Sequence, residues 1–389
     1  MIIGQFNDSF PPIMDGVANV VKNYAYWLNK KYGQSCVITP IVPGYKDNEA
    51  FEVYRYNSLP SLIKKPYRVG LPDLSGRVKK KLENMNFDII HTHSPFSAGV
   101  FAKRIAAKKN IPVITTFHSK LYDDFKQILK SDTVSKMALE KAIDYYNSTD
   151  YVWTVNKGTA QTLKDYGYRG NIDIVHNGTD FTYPADYNER KKVIDLELNI
   201  SSSDTVLLFT GQIIWQKNIK LVLQAIKILK SEHVKLKIIF AGEGNAKKEF
   251  LSLINQYNIK DYVIYLGLVS DREYLKSLFA RADLFVFPSI YDNAPIVIQE
   301  AAALKCPSIL IKDSNSAEGV VHNENGFLCE NDAVHLSKTI KEVVNSKENL
   351  NKVGNNAYHS LYRTWEIVVD EVYEKYSYIL KNINSKKRR

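Results

Sequence analysis

The chain has 389 residues, 45% of them hydrophobic and 24% charged, with a net charge of +10. That length suits two domains of roughly 100–200 residues each, and that composition excludes a disordered chain. No run nears the roughly 20 apolar residues that cross a bilayer, the opening MIIGQFNDSFPP lacks the basic segment of a signal peptide, and Cys36, Cys306 and Cys329 have no paired spacing. No disulfide framework or zinc site is therefore expected, and a cytoplasmic setting is. The basic surplus suits a partner that carries phosphates: nucleic acid, a nucleotide or an anionic membrane face.

Ile2–Phe6 reads as a strand and Asn7–Asp15 as a loop. Gly16 opens a helix in which Val17, Val20, Val21, Tyr24, Trp27 and Leu28 recur every three to four residues. Strands follow at Ser35–Ile41, Phe87–Ile90 and Pro112–Thr116, with a helix to about Lys109 between the last two. Then come strand Tyr151–Val155, helix Thr159–Tyr166 and strand Ile172–Val175. FTYPADYN, Phe181–Asn188, interrupts the pattern and reads as a linker. A second set runs Val206–Thr210 (strand), Ile219–Ser231 (helix), Leu236–Ala241 (strand), Lys247–Tyr257 (helix), Tyr262–Tyr265 (strand) and Arg272–Ala282 (helix). After strand Asp283–Phe287 and its helix come strand Ser308–Ile311, helix Ala333–Val344, a long helix from about Trp365 and the tail KNINSKKRR. This alternation predicts two α/β domains, each a doubly wound parallel sheet.

Open parallel sheets take ligands at the carboxyl ends of their strands. Gly16, His91, His93 and His118 fall there in the first half; Gly211-Gln212, Gly242-Glu243-Gly244 and Asp292 do so in the second. Two such rims facing each other across a cleft suit a two-part ligand. The stretch FPSIYDNAPIVIQEAAALKC is the most informative. It passes from a strand through Pro288-Ser289 into a helix, with Asn293 expected as N-cap and Pro295 in the first turn. Glu300 sits among apolar residues, where a carboxylate is costly unless hydrogen-bonded. An ordinary helix-edge glutamate and a ligand site at a strand-to-helix turn are both open on these residues alone.

The ordered set PPIMDGVANVVKNYA, HTHSPFSAGVFAKRIA, PVITTFHS, VHNGTD, GQIIWQKN, FAGEGN, DLFVFPSIYDNAPIVIQEAAALKCPSI, AEGV and NGFL spans nearly the whole chain. It resembles the family-four retaining glycosyltransferases of GT-B architecture: two Rossmann-like, doubly wound domains facing a cleft. Glycolipid-making and phosphatidylinositol-mannosylating members are nearest in pattern. The resemblance implies an N-terminal acceptor domain over 1–182, a donor domain over 183–364, and a C-terminal helix, about 365–389, packing back on the first. It implies transfer of a hexose from a nucleotide diphosphate sugar, uridine before guanosine, with no metal and no cofactor beyond that co-substrate.

The family's paired carboxylates, eight positions apart, are Asp292 and Glu300, with Asp in place of the usual first Glu. By resemblance Glu300 accepts from the donor ribose hydroxyls and Asp292 lies beside the donor sugar. Asn293 and Ala294, with the amides that open this helix, favour the donor's negative charge. Lys217 matches the lysine that neutralises the diphosphate; on its own it would read as a solvated lysine before a helix. Gln212 stands where the family has arginine and Pro295 where it has glycine. Gly16 matches the glycine that lets the backbone approach the donor, against a plain helix-opening glycine. His118 matches the histidine near the reacting centre, against a merely packed one. His91 and His93 read as rim or acceptor-side residues, since no third ligand at a telling spacing makes them a metal site.

Lys64, Lys65, Arg68, Arg77, Lys79, Lys80 and Lys81 crowd one segment with only Asp73 opposing, and Lys386, Lys387, Arg388 and Arg389 form the tail. Peripheral attachment to the inner face of the cell membrane is one expectation from this; a solvated basic face is the other. The partners expected are the nucleotide-sugar donor, a lipid or glycan acceptor and an anionic membrane surface. A catalytically impaired sugar-nucleotide-binding subunit is the alternative that Gln212, Asp292 and Pro295 raise. A nucleic-acid partner suits only the charge, for no recognisable nucleic-acid module is present.

Overall fold

A computed structural model describes residues 1–62 and 65–387, with side chains described as far as residue 383. Lys64 and the tail cations Lys386, Lys387, Arg388 and Arg389 lie outside the described side chains. The chain divides into two compact units: Met1–Asn177 together with the chain from Trp365 on, and Gly178–Thr364.

The first unit contains β1 (Ile2–Phe6), α1 (Gly16–Tyr32), β2 (Gln34–Pro40), β3 (Val53–Tyr56), β4 (Ser58–Pro60), β5 (Arg68–Gly70), α2 (Gly76–Asn84), β6 (Ile89–Thr92), α3 (Ser97–Lys109), β7 (Val113–Phe117), α4 (Leu121–Leu129), α5 (Asp132–Asn147), β8 (Tyr151–Thr154), α6 (Lys157–Asp165) and β9 (Ile172–Ile174). The second contains α7 (Tyr187–Glu197), β10 (Thr205–Thr210), α8 (Ile219–Ser231), β11 (Leu236–Ala241), α9 (Lys247–Gln256), β12 (Val263–Gly267), α10 (Arg272–Arg281), β13 (Leu284–Phe287), α11 (Ile296–Ala303), β14 (Ser308–Ile311), β15 (Phe327–Cys329), α12 (Ala333–Val344) and α13 (Lys347–Ser360). The last helix, α14 (Trp365–Lys387), belongs to the first unit.

Among the described residues the first sheet has the order β3-β2-β1-β6-β7-β8-β9 and the second β12-β11-β10-β13-β14-β15, with every pairing in both parallel. Helices cover both faces of such sheets, so central strands are buried along their length. All four residues of β13, LFVF, are buried, as are all four of β6. The order reverses between β1 and β6 in one sheet and between β10 and β13 in the other. Chains leaving these strands diverge to opposite faces and open a crevice at their carboxyl ends.

Helix α1 starts where Asp15 accepts from the Ala18 amide at 2.8 Å and stops at Gly33, whose φ of 118° a side chain would resist. On α1 lies α14: Tyr32 and Tyr373 stack at 3.8 Å, Tyr24 meets Trp365 edge-on, and Lys31 and Tyr32 both bond Asp370. The expected linker, Phe181–Asn188, lies inside the second unit. Phe181 is buried against Phe279, Thr179 pairs with the backbone at Arg363, and α7 already begins at Tyr187. The division therefore lies at Asn177–Gly178, ahead of the 182/183 boundary expected.

Candidate functional site

In the second unit the chain leaves β10 through Gly211 (φ +141°) and leaves β11 through Gly242 (φ +151°). A Cβ on Gly242 would stand 1.8 Å from the Gly211 carbonyl oxygen, so these loops cross only because it is glycine. The Ile213 amide donates to Glu243 O at 3.1 Å and the Ala246 amide to Ile213 O at 3.0 Å, which ties the two loops together. This brace positions Lys217, which stands after β10, toward the chain that leaves β13. Its Nζ donates to both oxygens of Asp292 at 2.8 Å and lies 5.1 Å from the centre of the Phe287 ring. Ser289 Oγ donates to the same carboxylate. The strand order thus explains the meeting: β10 and β13 flank the switch point. An ammonium has three N–H donors and the carboxylate engages two, so an anion has a donor to claim.

Glu300 is placed differently. It lies on the second turn of α11 with 3% of its surface exposed. Oε1 accepts from Arg272 Nη2 at 2.7 Å; Oε2 is shielded and finds no donor among the described residues. Burial pushes the carboxyl above its ordinary range, Arg272 pulls it down, and Asp180 adds a smaller upward push. Arg272, the first residue of α10, also grips Asp180 and stands 4.3 Å from the Phe181 ring centre. Arg272 and Asp180 were not anticipated. A glutamate inside an apolar helix signals that a cation is near, but the partner lies 28 residues away on another helix.

The start of α11 corrects one expectation. Asn293 does not cap the helix. Pro295 occupies the N-cap position without a capping side chain, while buried Asn293 accepts from Asn315 Nδ2 at 2.9 Å. Ser316 Oγ donates to Asp292 O at 3.0 Å, so the turn is held from β14's side and Asn293 serves that tie. Ala294 is half-buried beside it, and Gln212 is exposed on the β10 loop.

In the first unit Gly16 opens α1, and a Cβ built there meets nothing within 4 Å, so the protein's own packing does not demand glycine. His118 follows β7. His91 is not a rim residue: it is fully buried in β6, because the strand continues to Thr92. His91 and His93, two residues apart and so on one face, stack at 4.2 Å. His93 Nδ1 meets His118 Nε2 at 3.1 Å, and His93 Nε2 meets Gln5 Oε1 at 2.9 Å. Burial holds all three imidazoles neutral, His118 at about 3. Among the described residues no group of three or more His, Cys, Asp or Glu is arranged to hold a metal. Asp8, also unanticipated, sits in the loop after β1 and accepts from Ser94, Ser97 and the Ala98 amide, which closes the open end of α3.

The structure therefore brings Lys217 and Asp292 together, gives Glu300 a separate clamp, and joins His118 to His93. Residues 14–183 match the family described as Glycosyltransferase Family 4, and residues 191–360 match Glycosyl transferases group 1. The chain is 25% identical to the alpha-monoglucosyldiacylglycerol synthase of Streptococcus pneumoniae over 79% of its own length and 70% of that protein's. It is 24% identical to the Acholeplasma laidlawii enzyme of the same name over 92% of both. Among solved structures, Anabaena HepE in complex with UDP and glucose superposes with a TM-score of 0.78 at 17% identity, covering 97% of this chain and 99% of that one.

Proposed function

We infer the function from one premise: this chain belongs to the family-four glycosyltransferases of GT-B fold, which act on nucleotide sugars. It moves a hexose from a uridine diphosphate sugar to a hydroxyl of a lipid or glycan, with the anomeric configuration retained. The observation that carries this reading is the orphaned Oε2 of Glu300. A carboxylate held at one oxygen by Arg272 and buried at the other finds no donor among the described residues, and such a donor is worth about 1–3 kcal/mol in such surroundings. A ribose hydroxyl supplies that donor.

Lys217 takes the diphosphate, with Asp292 releasing one or both of its bonds to do so and turning to the sugar's hydroxyls. Asn293, Ala294 and the uncapped amides of α11 add to the leaving group's stabilisation, and no metal is required for it. Gln212 contributes a neutral amide where relatives carry a charge. Gly16 leaves room for the donor, and His118 hydrogen-bonds its sugar. In the transfer, the bond from C1 to the phosphate oxygen breaks and a bond from C1 to the acceptor oxygen forms on the same face. The acceptor's proton leaves on the departing phosphate.

Two of the relatives make glucosylated diacylglycerol, and the HepE complex holds UDP and glucose; both support a UDP-hexose and a lipid acceptor for this chain. The basic segment supports a place on the inner membrane face. No described helix is long and apolar enough to cross a membrane, but Leu59, Leu62 and Leu74 are exposed in the same stretch of sequence as the exposed Lys65, Arg77, Lys80 and Lys81.

A thermal-shift screen with UDP and GDP sugars, then a transfer assay on the hit, tests the reading. UDP-hexose raises the melting temperature of the chain, and Glu300→Ala loses that shift. An unchanged shift in Glu300→Ala removes the donor site from this position. Binding without transfer or hydrolysis favours the impaired-subunit reading instead.

A further inference from the structure

Lys217 sits on a short turn, Trp215–Lys217, between β10 and α8, and the residue that closes this turn is fastened to two other loops. Asn218 has a φ of +58°, the left-handed region that asparagine tolerates better than most side chains. Its carbonyl accepts from the Leu221 amide at 3.0 Å and its own amide donates to Trp215 O at 2.9 Å, so the turn runs directly into α8. Its side-chain Nδ2 donates to Pro288 O at 3.2 Å and to Asn331 Oδ1 at 2.7 Å. Pro288 is buried and follows β13; Asn331 stands between β15 and Asp332, the N-cap of α12. An amide nitrogen carries two hydrogens, and both are engaged here, on loops that leave two different strands. At the other end of the turn Trp215 Nε1 donates to Glu249 Oε2 of α9 at 2.7 Å. The turn is thus pinned at each end, with Lys217 between.

A lysine aims its charge from the end of a flexible four-carbon stem, so the place its Nζ can reach depends on where its backbone is held. The loop that carries Asp292 starts at Pro288, the residue that Asn218 bonds. The Asn218 amide therefore fixes the spacing between the backbone that bears Lys217 and the backbone that bears Asp292, the gap that Nζ spans with its two 2.8 Å bonds. Closing the turn alone would need only the left-handed backbone, for which glycine serves as well.

We propose that Asn218, with Asn331 as its acceptor, is a positioning residue that sets the ammonium of Lys217 for the donor's diphosphate. The proposal rests on the reading of Lys217 as the partner of that diphosphate, and a separate variant tests that premise.

Calorimetric titration of the full chain with UDP, and with uridine at millimolar concentrations, tests the proposal. Uridine has the base and ribose but no phosphate, so a role through Lys217 moves UDP affinity alone. Asn331→Leu removes the acceptor at an exposed position. It is expected to weaken UDP binding roughly tenfold, about what the weakest charge-assisted hydrogen bonds contribute, with uridine affinity and the melting temperature of the ligand-free chain unchanged. Asn331→Asp still accepts from Nδ2 and should hold UDP affinity within about threefold of the wild type. Asn218→Gly keeps the left-handed turn but loses the amide, and should show at least the same loss. Adding Asn331→Leu to Asn218→Gly should weaken UDP no further, because both act through one bond. UDP affinity within about threefold of the wild type in Asn331→Leu, an equal loss of uridine, or additive losses in the double variant overturns the proposal. Should Asn218→Gly fail to fold, the two Asn331 variants decide. Full UDP affinity in Lys217→Met removes the diphosphate reading of Lys217 and the proposal with it. A loss in Lys217→Met beside unaffected Asn331→Leu and Asn218→Gly keeps that reading and sinks the positioning role alone.

Discussion

Glu300 is the residue on which burial and charge collide. Arg272, 40% exposed, gives it one bond and leaves the other oxygen waiting. Replacing Arg272 with Met strands a carboxylate in a site that cannot hydrate it. With the arginine partly open to water, the expected loss of stability is about 1–3 kcal/mol, read by chemical denaturation. Glu300→Gln in the same background should restore most of it, because the neutral amide needs no cation. The histidines set a pH dependence of definite sign. The folded pKa of His118 is about 3 against an ordinary 6.5, with His91 and His93 also well below it. The unfolded chain therefore takes up protons first, and stability falls as pH drops from about 6.5 toward 3. Each ring contributes up to about 1.4 kcal/mol per pH unit; His118→Asn should shallow that slope in urea titrations. At this scale Lys217, Asp292 and Glu300 were legible because family spacing marks them within one loop and one turn-helix. Arg272, Asp180 and Asp8 were not, since their partners are set by packing between elements that no local pattern links. The same holds for the burial of His91, which depends on where β6 ends.

Among the elements, those with a clean period were legible to within a residue or two: α8, β11, β14 and α12 have the bounds their apolar patterns suggest. Helix α7 was hidden because its first turn, Tyr187 and Asn188, closes a Pro- and Tyr-rich stretch that reads as loop. The β4–β5 hairpin and α2 were hidden by charge, which dilutes any pattern over 58–84. Yet that charge is their most testable property. Asp73 is drawn to Arg104 at 2.6 Å and to Lys79 at 3.6 Å, while Arg77, Lys80 and Lys81 face outward, Lys81 over the Tyr54 ring. Each cation beside anionic lipid is worth about 1 kcal/mol. Replacing Arg77, Lys80 and Lys81 together with Glu should abolish co-sedimentation with phosphatidylserine vesicles at low salt. Retained binding, or no binding by the wild type, removes the membrane role from α2.

At the scale of the molecule, alternation of strand and helix made both sheets readable, because a parallel sheet requires a crossover after every strand. The division of the chain was less readable: Phe181 looks like linker and packs as core. Unit one is also discontinuous in sequence. Trp365, Val368, Val369, Val372 and Tyr376 of α14 are buried, at most 1% exposed. A chain ending at Thr364 should therefore lose unit one while unit two, whose residues are contiguous, keeps its fold. Limited proteolysis of the shortened chain, with cleavage expected before residue 177 and protection after 178, checks this.

That discontinuity sets an order of birth. On the ribosome the aromatic flank of α1, with Tyr24 and Tyr32, is made early, but its cover is translated only after all of 178–364. At roughly 5–20 residues per second, some ten seconds or more separate the two. During that interval the nascent N-terminal half carries a bare sticky flank, which makes it a client for holding chaperones, whereas the half that follows can mature as soon as it emerges.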